Sequence, residues 1–288
     1  MRFLLPALFA AVLSIPLLAS SPATDPTPAD LMQRMLTAVG QVRTCTYRLV
    51  KQERIDGRLQ REETQVKLQN KPFRVYIKSI NPNAGREVLY ATGTNDNKAL
   101  VNIGKFAPNV SLDPYGARVR QGQHHTLFDI GFRRITEVMV RQVEENRDEL
   151  TRLLRLDPTP ATFDNRPCWV VRLEDPRFRF TTYTVRPGGE SIDQIAHHLG
   201  VSEYMIAEKL PGFDGDYRAL LPAGKQIKVP TTYARRLTVL IDKATHLLVS
   251  ITISDDQGIF EQYDYHDLKI NTPFRENEFT PEFKGYSF

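Results

Sequence analysis

The side chains in this chain that could perform chemistry are mainly histidines and carboxylates. The histidines include two adjacent pairs, His124-His125 and His197-His198. Adjacent side chains point to opposite faces of a strand, or about 100° apart on a helix. This spacing does not direct both imidazoles at one ion, and no set of His, Cys and carboxylate residues has the spacing of a metal motif. The sequence therefore predicts neither a metal site nor a cofactor.

The carboxylates allow one enzymatic hypothesis. Glu261 and Asp264 lie close together near the C-terminus, and such a pair can act as general acid and base in the cleavage of a glycan. The sequence has no Gly-x-Ser-x-Gly elbow and no phosphate-binding glycine-rich loop ending in Lys-Ser or Lys-Thr. The acidic run 255–258 is explained by a hairpin turn without calcium. Because paired carboxylates are common on exposed strands, we expect a protein that is not an enzyme.

The elements that must position these groups are mostly strands. From Thr44 to Ile103, apolar and polar residues alternate with a period of two, and Asp56-Gly57 is a hairpin turn signal. Three more strand patterns follow between 235 and 268. An amphipathic helix that begins after the cap Thr27 precedes the strands, and a helical pattern returns between 128 and 154. These patterns predict an antiparallel meander with packed helices.

Residues 182–232 form a pattern of their own between the strand segments. Tyr183 and Val185 indicate a short strand, Ser191 can cap a helix that stops at Gly200, and Ser202 can cap a second helix. Apolar residues near 227–229 indicate a returning strand. The segment therefore predicts a small βααβ module that interrupts a larger domain made of residues 22–181 and 233–288.

The opening Tyr183-Thr-Val-Arg-Pro-Gly-Gly-Glu-Ser-Ile192 and the close Leu221-Pro-Ala-Gly-Lys-Gln-Ile-Lys-Val-Pro230 resemble the LysM module. LysM modules bind the N-acetylglucosamine chains of peptidoglycan or chitin. Two departures concern the binding loops: a Gly is added before Glu190, and Leu210 stands where Asn is common. The resemblance places the glycan-binding loops at Gly189, Glu190, Ser191, Leu210, Pro211, Gly212 and Phe213.

The larger domain also resembles a known fold. Three segments carry the resemblance: Leu237-Thr-Val-Leu-Ile-Asp-Lys-Ala-Thr-His246, Gly258-Ile-Phe-Glu-Gln-Tyr-Asp-Tyr265 and Gly285-Tyr-Ser-Phe288. They look like a family of exported bacterial proteins with a LolA/LolB-like (lipoprotein-carrier) half-barrel that carries a LysM-like insertion. The resemblance implies an α+β fold: a curved antiparallel β half-barrel with packed helices, interrupted by the LysM-like module.

A half-barrel of this kind implies an apolar trough for a lipid or a lipoprotein acyl chain. Burial of such a chain is favourable by about 0.8 kcal/mol of transfer free energy for each methylene. The candidate residues are also compatible with an ordinary core. A single sequence does not determine which of the two alternating sets of side chains on each strand faces inward. The partner expected is therefore a lipid or lipoprotein acyl chain, with peptidoglycan as a possible second ligand. The alternatives are a peptidoglycan-directed enzyme or enzyme accessory, and a scaffold that binds only proteins. The candidate trough residues are Tyr47, Leu49, Val66, Leu68, Val75, Ile77, Trp169, Val171, Leu237 and Val239.

The N-terminus has the layout of an export signal. Arg2 is followed by an apolar run from Phe3 to Ala19 that contains two prolines and is short for a membrane helix. We expect a signal peptide over residues 1–21, cleavage, and a periplasmic protein that does not span the membrane. No Cys follows the run, so lipid attachment is not expected. The net charge of +4 is spread along the chain without the basic and aromatic pattern of nucleic-acid binding.

The chain has two cysteines, Cys45 and Cys168. An even number in an exported protein favours a disulfide between them. Both positions also suit buried apolar residues, so the sequence leaves the two interpretations open.

Overall fold

A computed structural model of the chain describes residues 26–104 and 107–288, without the side chains of 142–147, 149 and 150. The predicted signal peptide lies outside the described residues. The helices are α1 Pro28–Gly40, α2 Ala117–Arg120, α3 Arg133–Leu153, α4 Ile192–Leu199 and α5 Glu203–Ala207. The strands are β1 Thr44–Ile55, β2 Arg58–Gln69, β3 Arg74–Asn81, β4 Glu87–Ala91, β5 Ala99–Asn102, β6 Val110–Leu112, β7 Leu154–Leu156, β8 Ala161–Phe163, β9 Arg166–Glu174, β10 Phe180–Thr184, β11 Glu190–Ser191, β12 Leu220–Leu221, β13 Gln226–Pro230, β14 Arg236–Asp242, β15 Leu248–Asp255 and β16 Gly258–Ile270.

Twelve of the strands form one curved antiparallel sheet in the order β6-β5-β4-β3-β2-β1-β16-β15-β14-β9-β7, with β8 also paired to β9. Strands β6 and β7 lie at opposite ends of the described sheet and do not pair with each other, so the sheet is open. The hairpin signal Asp56-Gly57 joins β1 to β2, and both residues have positive φ. The α+β fold with an unclosed curved sheet and packed helices confirms the fold-class prediction.

Cross-strand pairing determines which side chains share a face, because residues directly opposite each other project to the same side. Tyr47 lies opposite Val66, and Val66 lies opposite Ile77. Across β16 and β15 the same face continues to Val239 and Val171. All ten candidate trough residues therefore project to one side of the sheet, here called the inner face.

Helices α1 and α3 cover much of the inner face. Thr27 and Asp30 form a capping box that starts α1, and its buried side chains include Leu31 and Met35. Helix α1 contacts α3 and β7, and α3 contacts β9. The buried side chains of α1 join those of the inner face in one apolar core. The opposite face of the sheet is partly covered by the C-terminal segment, where Phe279 packs with Tyr76.

The two cysteines are free and buried, so the disulfide prediction is wrong. Cys45 lies on β1 and Cys168 on β9, with β16, β15 and β14 between them. Four strand spacings amount to roughly 19 Å along the sheet, whereas a disulfide needs Cα atoms within about 7 Å. Burial raises the pKa of the Cys45 thiol to about 12. Both cysteines act as small apolar core residues.

Residues 180–230 form a compact unit in which β10 pairs with β13 and β11 with β12. Ser191 caps α4, and Gly200 ends it at φ 65°, where the left-handed backbone favours glycine. Ile195, Met205 and other apolar side chains of α4 and α5 are fully buried. The unit, here called the insert, has the predicted strand-helix-helix-strand order, with an additional short strand pair. No helix of the described residues is long and apolar enough to span a membrane.

Candidate functional site

A cavity of about 390 Å³ lies on the inner face, between the first half of the sheet and the chain segment 113–131, here called the strap. The sheet side of the cavity carries apolar residues such as Val88 and Val101, and the strap side carries others such as Leu127 and Ile130. Its volume falls within the range of about 300–1,000 Å³ that is typical of small-molecule sites. We call this space the main cavity.

One end of the main cavity is polar. There the alternating positions of β1 and β16 whose side chains project to the inner face are occupied by charged residues. Glu53 on β1 lies directly opposite Glu261 on β16. Their side chains have exposed fractions of only 4% and 1%. Two buried carboxylates this close require hydrogen-bond donors and positive charge around them.

Glu261 receives these donors mainly from the strap. Its Oε2 lies 2.9 Å from His124 Nδ1 and 3.0 Å from His125 Nε2. Its Oε1 accepts a hydrogen bond of 3.0 Å from the Tyr233 hydroxyl. The Tyr263 hydroxyl lies between the two carboxylates, 2.6 Å from Glu53 Oε1 and 3.2 Å from Glu261 Oε2.

Glu53 is held by donors of its own. Its Oε2 accepts from Lys51 Nζ at 3.2 Å and from the backbone N–H of His124 at 3.3 Å. Lys51 also pairs with Glu62 at 3.2 Å and contacts the side-chain amide oxygen of Gln123. Lys51 thus carries a positive charge shared by two carboxylates at the cavity wall.

His124 connects this cluster to the insert. Its ring stacks on Phe260 at 4.1 Å and on Tyr204 of the insert at 4.3 Å between ring centroids. Besides Glu261, it contacts the backbone oxygen of Arg54, 3.0 Å from Nε2. Both ring nitrogens of His124 therefore face oxygen atoms that can accept a hydrogen bond.

The pKa shifts in the cluster follow from its charges. Burial tends to raise the pKa of Glu53, but Lys51 and the two histidines outweigh it and lower that pKa to about 2. Burial likewise opposes ionisation of Glu261, yet His125 and His124 hold its pKa well below its usual range. Burial tends to lower the pKa of His125, and the Glu261 carboxylate raises it above its ordinary value. Both carboxylates are therefore ionised at neutral pH.

The acid and base pair of the enzymatic hypothesis is not formed. Glu261 projects to the inner face, whereas Asp264, an odd number of positions away, projects to the other face and accepts a hydrogen bond of 2.5 Å from Ser250 Oγ. The catalytic hypothesis built on this pair is wrong. Glu53 is the carboxylate that faces Glu261, and sequence analysis missed it. A signal existed, since Lys51 and Glu53 continue the alternation that Tyr47 and Leu49 begin.

Three potential metal ligands also form a cluster in space that their spacing in the sequence does not indicate. Ligand atoms of Glu53, His125 and Glu261 all lie within 4.8 Å of one another. The three residues come from two strands and the strap, so no local spacing could reveal them.

Three of the ten candidate trough residues line cavities, and seven are packed in the core. Leu49 and Ile77 line the main cavity, and Leu237 lines a second, almost wholly apolar cavity of about 110 Å³ near α1 and α3. The other seven pack in the core on the inner face, as an ordinary core residue would. Arg134 and Ile135 line both cavities. The protein's own helices therefore occupy much of the predicted trough.

The predicted glycan loops use several of their side chains within the insert. Glu190 accepts hydrogen bonds of 2.8 Å from the Tyr183 hydroxyl and from the backbone N–H of Arg186. Ser191 is the α4 cap. The remaining loop residues lie as follows: Leu210 and Phe213 pack partly buried on the insert core, Pro211 and Gly212 are exposed, and Gly189 lines a shallow groove with Arg186, Pro187, Glu190 and Gln194.

The insert contacts the strap through charged and aromatic side chains. Arg120 forms an ion pair of 2.8 Å with Glu203, and its guanidinium lies 3.9 Å from the Tyr217 ring centroid. Arg218 lies 3.6 Å from the ring centroid of Tyr115. The insert thus packs directly against the segment that forms one wall of the main cavity.

Several solved structures are similar to this chain at low identity. The Mycobacterium tuberculosis lipoprotein LppX is 14% identical with a TM-score of 0.41, over 88% of this chain and 99% of that chain. A LolA superfamily protein from Nitrosomonas europaea is 9% identical with a TM-score of 0.33, over 88% and 98%. A chain in the structure of the Pseudomonas aeruginosa MucA/MucB complex is 11% identical with a TM-score of 0.37, and the match covers 88% of this chain and 60% of that chain.

No curated protein matches the chain in sequence. A family model does: the model described as "Protein of unknown function (DUF1571)" matches residues 42–185, which is half of the chain. The matched region runs from just before β1 to the start of the insert, and it contains Glu53, His125 and the whole strap. The chain belongs to the DUF1571 family.

Proposed function

We propose that this protein is a non-catalytic envelope protein that binds a lipid or lipoprotein acyl chain at the inner face of its sheet. The main cavity, about 390 Å³ in volume, is the observation that carries the proposal. Its walls are largely apolar, so a hydrocarbon chain placed there leaves water and gains about 0.8 kcal/mol for each buried methylene. The second cavity, which shares Arg134 and Ile135 with the first, offers further apolar surface for the same ligand.

The polar end of the main cavity favours an amphipathic ligand over a plain hydrocarbon. Lys51 and His125 line the wall beside Glu53, and Arg86 and Arg118 also line the cavity. Burying an acyl chain alone would remove water from these charged side chains and cost desolvation free energy. A lipid that carries a polar group at one end suits both parts of the cavity.

The proposed location is the periplasm, reached by an export signal over residues 1–21 that is then removed. The apolar run after Arg2 supports export. An envelope location also suits a protein whose ligand is a lipid.

Filling the main cavity is expected to abolish lipid binding. Val88 is half-buried on β4 and projects into the cavity, so Val88→Trp places an indole where the acyl chain would lie. Native mass spectrometry of protein purified from a periplasm should show an extra mass on the wild-type chain that organic solvent removes. The variant should retain less than about a tenth of it, a loss of at least ~1.4 kcal/mol in binding free energy.

Gln65→Trp provides the matched control, because Gln65 is exposed and lies on the opposite face of the neighbouring part of the sheet. The control should carry the extra mass as the wild type does. Recovery of the bare chain alone from the wild type, or equal loading of both variants, would count against a lipid ligand in this cavity.

We further propose that the insert binds the glycan strands of peptidoglycan, because it has the strand and helix order of a LysM module and an open groove beside Gly189.

Pro187→Trp should block the groove, since Pro187 is exposed and lines it. Sedimentation with purified cell-wall sacculi should then show about tenfold weaker association, equivalent to ~1.4 kcal/mol. His198→Trp, on the exposed face of α4, should sediment as the wild type does, and a wild-type chain that stays in the supernatant would refute glycan binding.

A further inference from the structure

We propose that Glu53, His125 and Glu261 form a binding site for a divalent transition-metal ion of the zinc class at the polar end of the main cavity. The site goes beyond the proposed lipid binding, and its test does not depend on a lipid. Three potential ligand atoms meet there, all within 4.8 Å of one another. They come from β1, β16 and the strap.

The distances suit a metal chelate. Zinc lies about 2.0–2.2 Å from nitrogen and carboxylate oxygen ligands, so neighbouring ligand atoms of a tetrahedral site are about 3.4 Å apart. His125 Nε2 is 3.0 Å from Glu261 Oε2. The oxygen of Tyr263 lies 3.2 Å from the same Glu261 atom and 2.6 Å from Glu53 Oε1. The separation between His125 and Glu261 is therefore close to that of two ligands around one zinc ion.

The types of ligand select the class of ion. An imidazole with two carboxylates is a donor set that zinc and similar first-row divalent ions accept. Calcium takes six to eight oxygen ligands, and this set offers two carboxylates and a nitrogen. On binding, the ion replaces the hydrogen that His125 Nε2 shares with Glu261, and this proton leaves to solvent.

Hydrogen bonds outside the three ligands hold them in place. Lys51 Nζ and the backbone N–H of His124 bind Glu53 Oε2, and the Tyr263 hydroxyl binds Oε1, the oxygen that would turn to the ion. The Tyr233 hydroxyl binds Glu261 Oε1, so Oε2 is directed toward His125. Such outer contacts are typical of metal sites, because they fix ligand orientation before the ion arrives.

The ion has a route to the site. Glu53, His125 and Tyr263 all line the main cavity, which connects to solvent. Three protein ligands leave a coordination position that faces the cavity, as in zinc sites that keep one position for water or a bound molecule.

Equilibrium dialysis of the EDTA-treated mature chain against zinc chloride, with the metal content measured by mass spectrometry, tests the proposal. We expect one zinc ion per chain. His125→Gln should weaken zinc binding by about 100-fold, or ~2.7 kcal/mol. The glutamine amide can still donate to Glu261, so this variant should fold, which circular dichroism would verify.

Two further variants make the outcome decisive. Glu53→Gln removes a second ligand and should also lose zinc. His197→Gln removes an exposed histidine of the insert and should bind zinc as the wild type does. A wild-type chain without zinc, or equal zinc binding by the His125 and His197 variants, would overturn the assignment.

Discussion

Replacement of Glu261 by alanine is expected to lower the free energy of unfolding by about 3–5 kcal/mol, because it leaves buried donors without an acceptor. Glu261 accepts hydrogen bonds from His124, His125 and Tyr233 at 2.9–3.0 Å. Its removal also takes away the negative charge that compensates the histidines. Urea denaturation followed by circular dichroism at neutral pH would measure the loss of unfolding free energy. Thermal denaturation should show a fall in Tm of roughly 10 °C.

Asp264→Asn is the matched control, since this residue lies on the same strand and projects to the opposite, partly exposed face. The amide keeps a contact with Ser250, so we expect a change within about 1 kcal/mol. Equal destabilisation by the two substitutions would show that strand β16, and not the buried cluster, determines the effect.

Tyr204→Ala is expected to destabilise the protein by about 3 kcal/mol and to loosen the strap, because Tyr204 joins the insert to the sheet. Its ring stacks on His124, and its hydroxyl accepts a hydrogen bond of 3.1 Å from the backbone N–H of Asp56. Truncation leaves a cavity beside His124 and Phe260. Hydrogen exchange followed by mass spectrometry should show faster exchange of strap amides 117–126 and little change in β2 and β3.

His197→Ala serves as control for this experiment, because His197 is exposed on α4 within the same insert. Its exchange pattern should match that of the wild type. Unchanged exchange of the strap in Tyr204→Ala would mean that the strap is held by its own contacts with the sheet. The expected result would instead make the insert a support for the wall of the main cavity.

Local patterns in the sequence determined the secondary structure and indicated an antiparallel sheet with packed helices, while the half-barrel was implied by a family resemblance. The period of two from Thr44 onward became β1 to β5, and the caps Thr27 and Ser191 start helices where they were expected. Glycine and turn signals placed the hairpins because their backbone requirements are local. The ten apolar trough candidates share one face for the same reason, since alternation along a strand is a property of the strand itself.

Tertiary structure alone decided which residues meet. Glu53 and Glu261 are 208 positions apart and face each other only because the last long strand, β16, pairs with the first, β1. The same pairing order separates Cys45 from Cys168. His124 and His125 both reach Glu261 because the strap is irregular there, so the rule that neighbouring side chains diverge does not apply. Strand order, register and loop path depend on contacts between distant segments, and no local pattern in the sequence records them.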